Sequence, residues 1–405
     1  MLTREKTALQ GPSANSNSGH DRSTAFYPLP TQSDEEPALI LEPSVFLGPS
    51  IGRLVDSHNN PPLVLIWSLV LRSLITMLIL LKPSFLFFCL IVFIRSVISL
   101  PENPASNVIC TQILPPRDVS RYFGLLGLLR SASKITAPTL GVLVTSSYGE
   151  STAIKISILM TLLASMLTVY AFHKYKHHDA HNNINNHKGE ETVTSINKTP
   201  YSEENRNTNH RILKQLLWTV TTYSFMVFFI NNQLPVLLRN SGYSMVLLGV
   251  LVTASGSGGI LAASYLSRKH RSKHTDTMNP LQATIVSVIV IALCFVALGF
   301  TFMLPSSIAP YVATFLFFCT GMFSAIESIR ANVVVVQEFP DNAGEVTAKM
   351  GSFRSIAMLI APSIAAIFIS HMASMSLLFI VDGGVGLVIL IGITIAHMYS
   401  SPLKH

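Results

Sequence analysis

The 405-residue sequence has little charge: Asp, Glu, Lys and Arg make up 12% of it, about half the ~25% usual in soluble domains. Cysteine is scarce too. Cys89, Cys110, Cys294 and Cys319 lie in or beside apolar runs without C-x-x-C spacing, which excludes a zinc ribbon or a disulfide framework and leaves them as packing residues. No GxxxxGK[ST] loop occurs, so nothing in the chain points to ATP as the driving force. HExxH and paired-Asp motifs are absent as well, and the expectation is a protein that is not an enzyme, with no metal and no cofactor. The N-terminus lacks an apolar core of signal-peptide length. A net charge of +7 and a pI near 9.2 do not amount to a nucleic-acid footprint, because the basic residues sit mostly in short polar breaks.

What the sequence does have is apolar length. Hydrophobic residues make up 49% of the chain and mean hydropathy is +0.47. The apolar residues come in runs of about 17–27, each long enough to cross a hydrocarbon core of about 30 Å. Residues 1–37 read as a disordered polar tail. A weak, proline-interrupted span follows at 39–62, then spans at 63–81, 84–113, 119–146 and 150–173. A polar stretch at 174–211, with six Lys/Arg and five Asp/Glu, reads as a hydrated linker. Six spans follow it: 212–238, 244–266, 280–304, 308–337, 344–371 and 374–399. The expected fold is an all-α polytopic membrane protein of about 11 transmembrane helices in two bundles, 38–173 and 212–405. Lys and Arg concentrate in the breaks of one parity, notably 268–274 and 116–121. The linker and C-terminus are therefore expected in the cytoplasm and, by parity, the N-terminal tail outside.

The two bundles share a repeated hairpin. Residues 102–138 and 327–362 align with ten identities, namely Glu102/Glu327, Asn107/Asn332, Val108/Val333, Gln112/Gln337, Pro115/Pro340, Gly127/Gly351, Arg130/Arg354, Ser131/Ser355, Ala137/Ala361 and Pro138/Pro362. A membrane hairpin repeated half a chain apart marks a transporter built from two related halves. Within each copy a carboxylate and a guanidinium lie at similar depth, roughly 20 Å from the turn at 1.5 Å per residue. Unpaired charge at that depth costs about 2.5–3.5 kcal/mol on insertion scales, so Glu102–Arg130 and Glu327–Arg354 are expected to pair. Such pairs either staple adjacent helices or exchange a proton during transport. Arg95, two turns before Glu102, and Lys134, one turn beyond Arg130 with Met358 opposite it in the repeat, are further candidates for a substrate cavity. Asn231, Asn232 and Gln233 beside Pro235 either bind a ligand or satisfy a carbonyl freed by the proline. The histidines in and beside the linker (His173, His177, His178, His181, His187) lack the spacing of a preformed metal site.

These residues resemble the major facilitator superfamily. Gly52-Arg53-Leu54-Val55-Asp56-Ser57 matches in part the family's loop motif of glycine, three residues and Asp-Arg, with Ser57 in place of the arginine. Arg95 stands where an arginine of helix 4 is a family feature. The Arg, Pro-Ala, Gln and Pro pattern through 95–115 is similar to the macrolide and siderophore exporter branch. The resemblance implies two six-helix halves joined by a cytoplasmic linker in a bacterial inner membrane. It implies proton-driven export of small amphipathic molecules by alternating access, as a monomer, with Gly52, Asp56 and, in the second half, Arg268 serving as gating residues. The family's first helix has no apolar counterpart in this chain, which leaves a second expectation open: a transporter-derived membrane protein that does not transport.

Overall fold

Among the described residues the apolar runs are helical, and the helices end where proline, glycine or clustered polar residues interrupt the run. The computed structural model describes residues 43–58, 60–81, 84–186, 203–269, 278–371 and 374–400. The polar tail and the place of a first family helix lie outside the described residues. So do most of the 268–274 basic loop and the centre of the linker.

In chain order the helices are α1 (Ser44–Ser57), α2 (Pro61–Met77, extended by a 3-10 turn Leu78–Leu81), α3 (Phe85–Ser99), α4 (Glu102–Ile113), α5 (Pro116–Tyr148) and α6 (Glu150–Asn186). The second half contributes α7 (Glu203–Asn231), α8 (Leu234–Asn240), α9 (Met245–Lys269), α10 (Pro280–Thr301), α11 (Ala309–Glu338), α12 (Ala343–His371) and α13 (Met375–Ser400). No strand occurs among the described residues. Among the described residues, nine stretches are long and apolar enough to cross a membrane. The other two expected spans are α1, with 14 residues, and α5, whose Arg130 and Lys134 lower its apolar character while its 33 residues give it ample length.

One sequence expectation gains a detail and another needs correction. The expected span 84–113 stands as one apolar stretch, Phe85–Ile113, with a turn at Leu100–Pro101 that divides it into α3 and α4, because proline lacks the N–H that would continue the helical ladder. The 174–211 stretch is helical at both ends, within α6 and α7. Polarity there argued against a membrane span, not against a helix.

α1–α6 precede the polar 174–211 stretch and α7–α13 follow it, apart from the helix ends that run into it, and the two sets meet through matched pairs. α1 packs on α12 as α5 packs on α9, and α4 packs on α12 as α5 packs on α11. A repeat predicts that matching, since each pair exchanges the roles of the two halves. The largest buried apolar cluster lies within α7–α13, centred on Phe229, Ile291, Leu298 and Phe379. A second cluster forms a dry seam between the halves, from Val55 and Val108 to Val335, Val346 and Met350. Many large apolar side chains on α2, α3 and α6 face outward, Trp67, Leu86 and Met166 among them, as suits helices in contact with lipid.

Candidate functional site: a charged cavity between the halves

The halves close on each other at the end carrying the turns near 115 and 340. There Asp56, at the end of α1, accepts hydrogen bonds from the backbone N–H of Gly344 (2.8 Å) and Glu345 (2.7 Å). These donors belong to the first turn of α12, where N–H groups lack helical acceptors and the helix dipole favours a negative group. Arg53 pairs with Glu345 at 3.2 Å, which also holds Lys349 at 2.8 Å. Gly52 is required by the approach of the helices: a Cβ there would sit 2.6 Å from the Ala348 Cβ and 2.7 Å from the Gly344 carbonyl oxygen. Arg268 stands exposed at the end of α9 and makes no ion pair among the described residues.

Deeper in, the repeat closes on itself. Asn107 donates to its counterpart Asn332 (3.2 Å) and to Thr347 Oγ1 (2.7 Å). Equivalent residues in direct contact place the local two-fold relation between the halves at this amide pair. Gln337 reaches across to the Pro116 carbonyl at 3.4 Å.

Beyond the amides lies a cavity of about 400 Å³ lined from α5, α7, α9, α11 and α12. It gathers Arg130, Lys134, Asn231, Glu327 and Arg354, five of the residues singled out from sequence. Arg130 and Arg354 also line an adjoining cavity of about 500 Å³ beside Asn103 and Ser355. Glu327 is fully buried and pairs with Arg354 at 3.5 Å. Arg330, one turn on from Glu327, is buried alongside.

The expected mate of that pair in the first half does not form. Glu102 instead binds Arg72 of α2 at 2.6 Å, and Arg130 is left with the Asn103 amide oxygen at 3.5 Å. Beyond the break at Pro101, α4 packs against α2, α12, α11 and α1, and the carboxylate at its first turn meets Arg72 of α2. Arg95 lies on the far side of that break, within electrostatic reach of Glu102, and does not line the cavity. Asn232 also stays outside, because α7 ends at Asn231 and the chain turns before α8. Gln233 donates to the Pro362 carbonyl at 3.4 Å. Sequence reading missed Tyr223, which hydrogen-bonds Ser324 in the cavity wall. A lone tyrosine in an apolar run gave no signal. Among the described residues no cluster of potential metal ligands occurs.

A family model described as Major Facilitator Superfamily matches residues 39–362. The chain belongs to that superfamily. Its fold is similar to that of the human organic anion transporter MFSD10 (TETRAN), with a TM-score of 0.63 at 16% identity over 86% of this chain and 80% of that one. It is also similar to a bacterial homologue of the iron transporter ferroportin in an outward-facing state (0.61, 14%, 88% and 89%) and to the E. coli fucose:proton symporter FucP (0.62, 12%, 88% and 88%). No curated protein matches the chain by sequence. Major facilitator membership makes the chain an integral membrane protein of transporter type rather than an enzyme. At these identities the structural likenesses carry the fold and no substrate.

Proposed function

We propose that this major facilitator protein is a secondary transporter that exports small amphipathic molecules of drug or siderophore type by alternating access, driven by protons. The observation that carries the reading is the cavity lined by both halves, with the fully buried Glu327 beside Arg354. With the basic breaks in the cytoplasm of a bacterial inner membrane, the Asp56–α12 contacts are a closed cytoplasmic gate and the cavity is reached from outside. Protonation of Glu327 frees Arg354, and loss of that ion pair biases the gate toward opening. The charged or titratable groups around Glu327 are Arg354 of α12, Tyr223 of α7, Arg330 on its own helix, and Arg130 and Lys134 of α5. The human organic anion transporter and the fucose:proton symporter among the structural neighbours are consistent with small-molecule cargo, and the second with protons.

The test is flux in liposomes holding the full chain and a trapped pH dye. Adding drug-like amphipaths is expected to start proton movement that Glu327→Gln abolishes. Proton movement unchanged in that variant sinks the coupling role. If no amphipath moves, and none moves a proton, the non-transporting alternative takes its place.

A further inference from the structure

We infer that the cavity holds a small organic anion, its negative group bound by Arg130 and Lys134 of α5 and its apolar body lying against Val227 and Phe228 of α7. The inference rests on the transport reading above and names its substrate class. Three cationic side chains, Arg130, Lys134 and Arg354, face the cavity, against a single carboxylate, Glu327. That carboxylate is already engaged by Arg354.

Arg130 and Lys134 are thus in excess. The residue that the repeat would assign to Arg130, Glu102, is held by Arg72. Arg130 keeps only a long contact to the neutral Asn103 side chain, and Lys134 has no ion-pair or hydrogen-bond partner among the described residues. Both side chains are accessible from the cavity. One turn apart on α5, they present a planar fork and a point charge to the same space, a pairing suited to a carboxylate or phosphonate. The position equivalent to Lys134 is Met358 in the second half, so this charge is not demanded by the fold. About 400 Å³ suits a small ligand, since such pockets run roughly 300–1,000 Å³. A cationic ligand would meet two uncompensated positive charges.

Binding to the full chain in lipid nanodiscs, followed by calorimetry, tests this. The probes are 2-naphthoate and phenylphosphonate against 2-naphthylmethylammonium and benzylammonium, which keep the ring systems and reverse the charge. The anions are expected to bind at least tenfold more tightly than the cations. Arg130→Gln and Lys134→Met should each weaken the anions about tenfold or more, while Lys155→Met, on the outer α6, should not. Lys134→Met keeps the test decisive if Arg130→Gln does not fold, because methionine already occupies the equivalent site. Cations binding as tightly as anions, no anion binding at all, or anion binding indifferent to both variants would overturn the inference. Charge-selective binding without flux in liposomes would remove the transport reading and leave the anion site standing. Flux of cations indifferent to Arg130→Gln would do the reverse.

Discussion

The two halves carry the same carboxylate and the same arginine and use them differently. In the second, a fully buried Glu327 meets Arg354, itself 34% exposed toward the cavity, across adjacent helices. In the first, Glu102 joins Arg72 at a partly exposed contact, and Arg130 lines the cavity. The repeat's ion pair is kept in one half, and in the other the carboxylate takes a different cation. Related sequence fixes where charges lie in depth; the local path of the backbone decides which of them meet.

The sharpest way to break the comparison is to remove Arg354. Arg354→Met leaves a fully buried carboxylate without its cation, and an unsatisfied buried acceptor costs about 1–3 kcal/mol, more when it is charged. Unfolding in detergent should show that loss, and adding Glu327→Met should recover most of it. The double variant being no better than the single would mean the pair is not the source of the cost.

The packing of the halves gives the next effect. Gly52→Ala drives a Cβ against Ala348 and the α12 backbone, while Gly256→Ala, at the matching α9–α5 contact, presses on side-chain atoms of Ile135 and comes no nearer to backbone than 3.6 Å. Overpacking against atoms that cannot yield costs about 1–3 kcal/mol. Gly52→Ala should therefore lower the unfolding temperature clearly more than Gly256→Ala; equal losses would contradict the asymmetry. A smaller effect is expected of Asp56→Asn, which weakens charge-assisted bonds to the first turn of α12 by about 1 kcal/mol, seen as roughly fivefold easier labelling of cysteines placed in the seam. Arg72→Gln should matter least for stability, about 1 kcal/mol or less, because its pair with Glu102 is partly solvated.

Much of this was legible in the sequence because bilayers demand long apolar helices, and duplication leaves an alignable trace. The alignment that paired Asn107 with Asn332 named two side chains that touch. Gly52 and Asp56 announced the close α1–α12 contact. What stayed hidden depends on direction rather than depth. Glu102 was visible in the sequence, but not which cation it would meet. Arg72 gave no sign of its role, since an arginine near a helix end reads equally well as snorkelling. Asn231 and Asn232 were indistinguishable as letters, and only the end of α7 separates the one in the cavity from the one outside. The helical ends of the 174–211 stretch were hidden because polar residues form helices without leaving an apolar stripe.

The most direct measurement of the two-half mechanism is a pulsed electron-spin distance between labels at Ser57→Cys and Asn342→Cys, both exposed beside the Asp56–α12 contact, with Cys89 and Cys319 replaced. Two distance populations are expected in lipid nanodiscs, the longer growing in Asp56→Asn and again in Glu327→Gln. One narrow distance, unmoved by either variant, would contradict a gate at this seam governed by the buried pair.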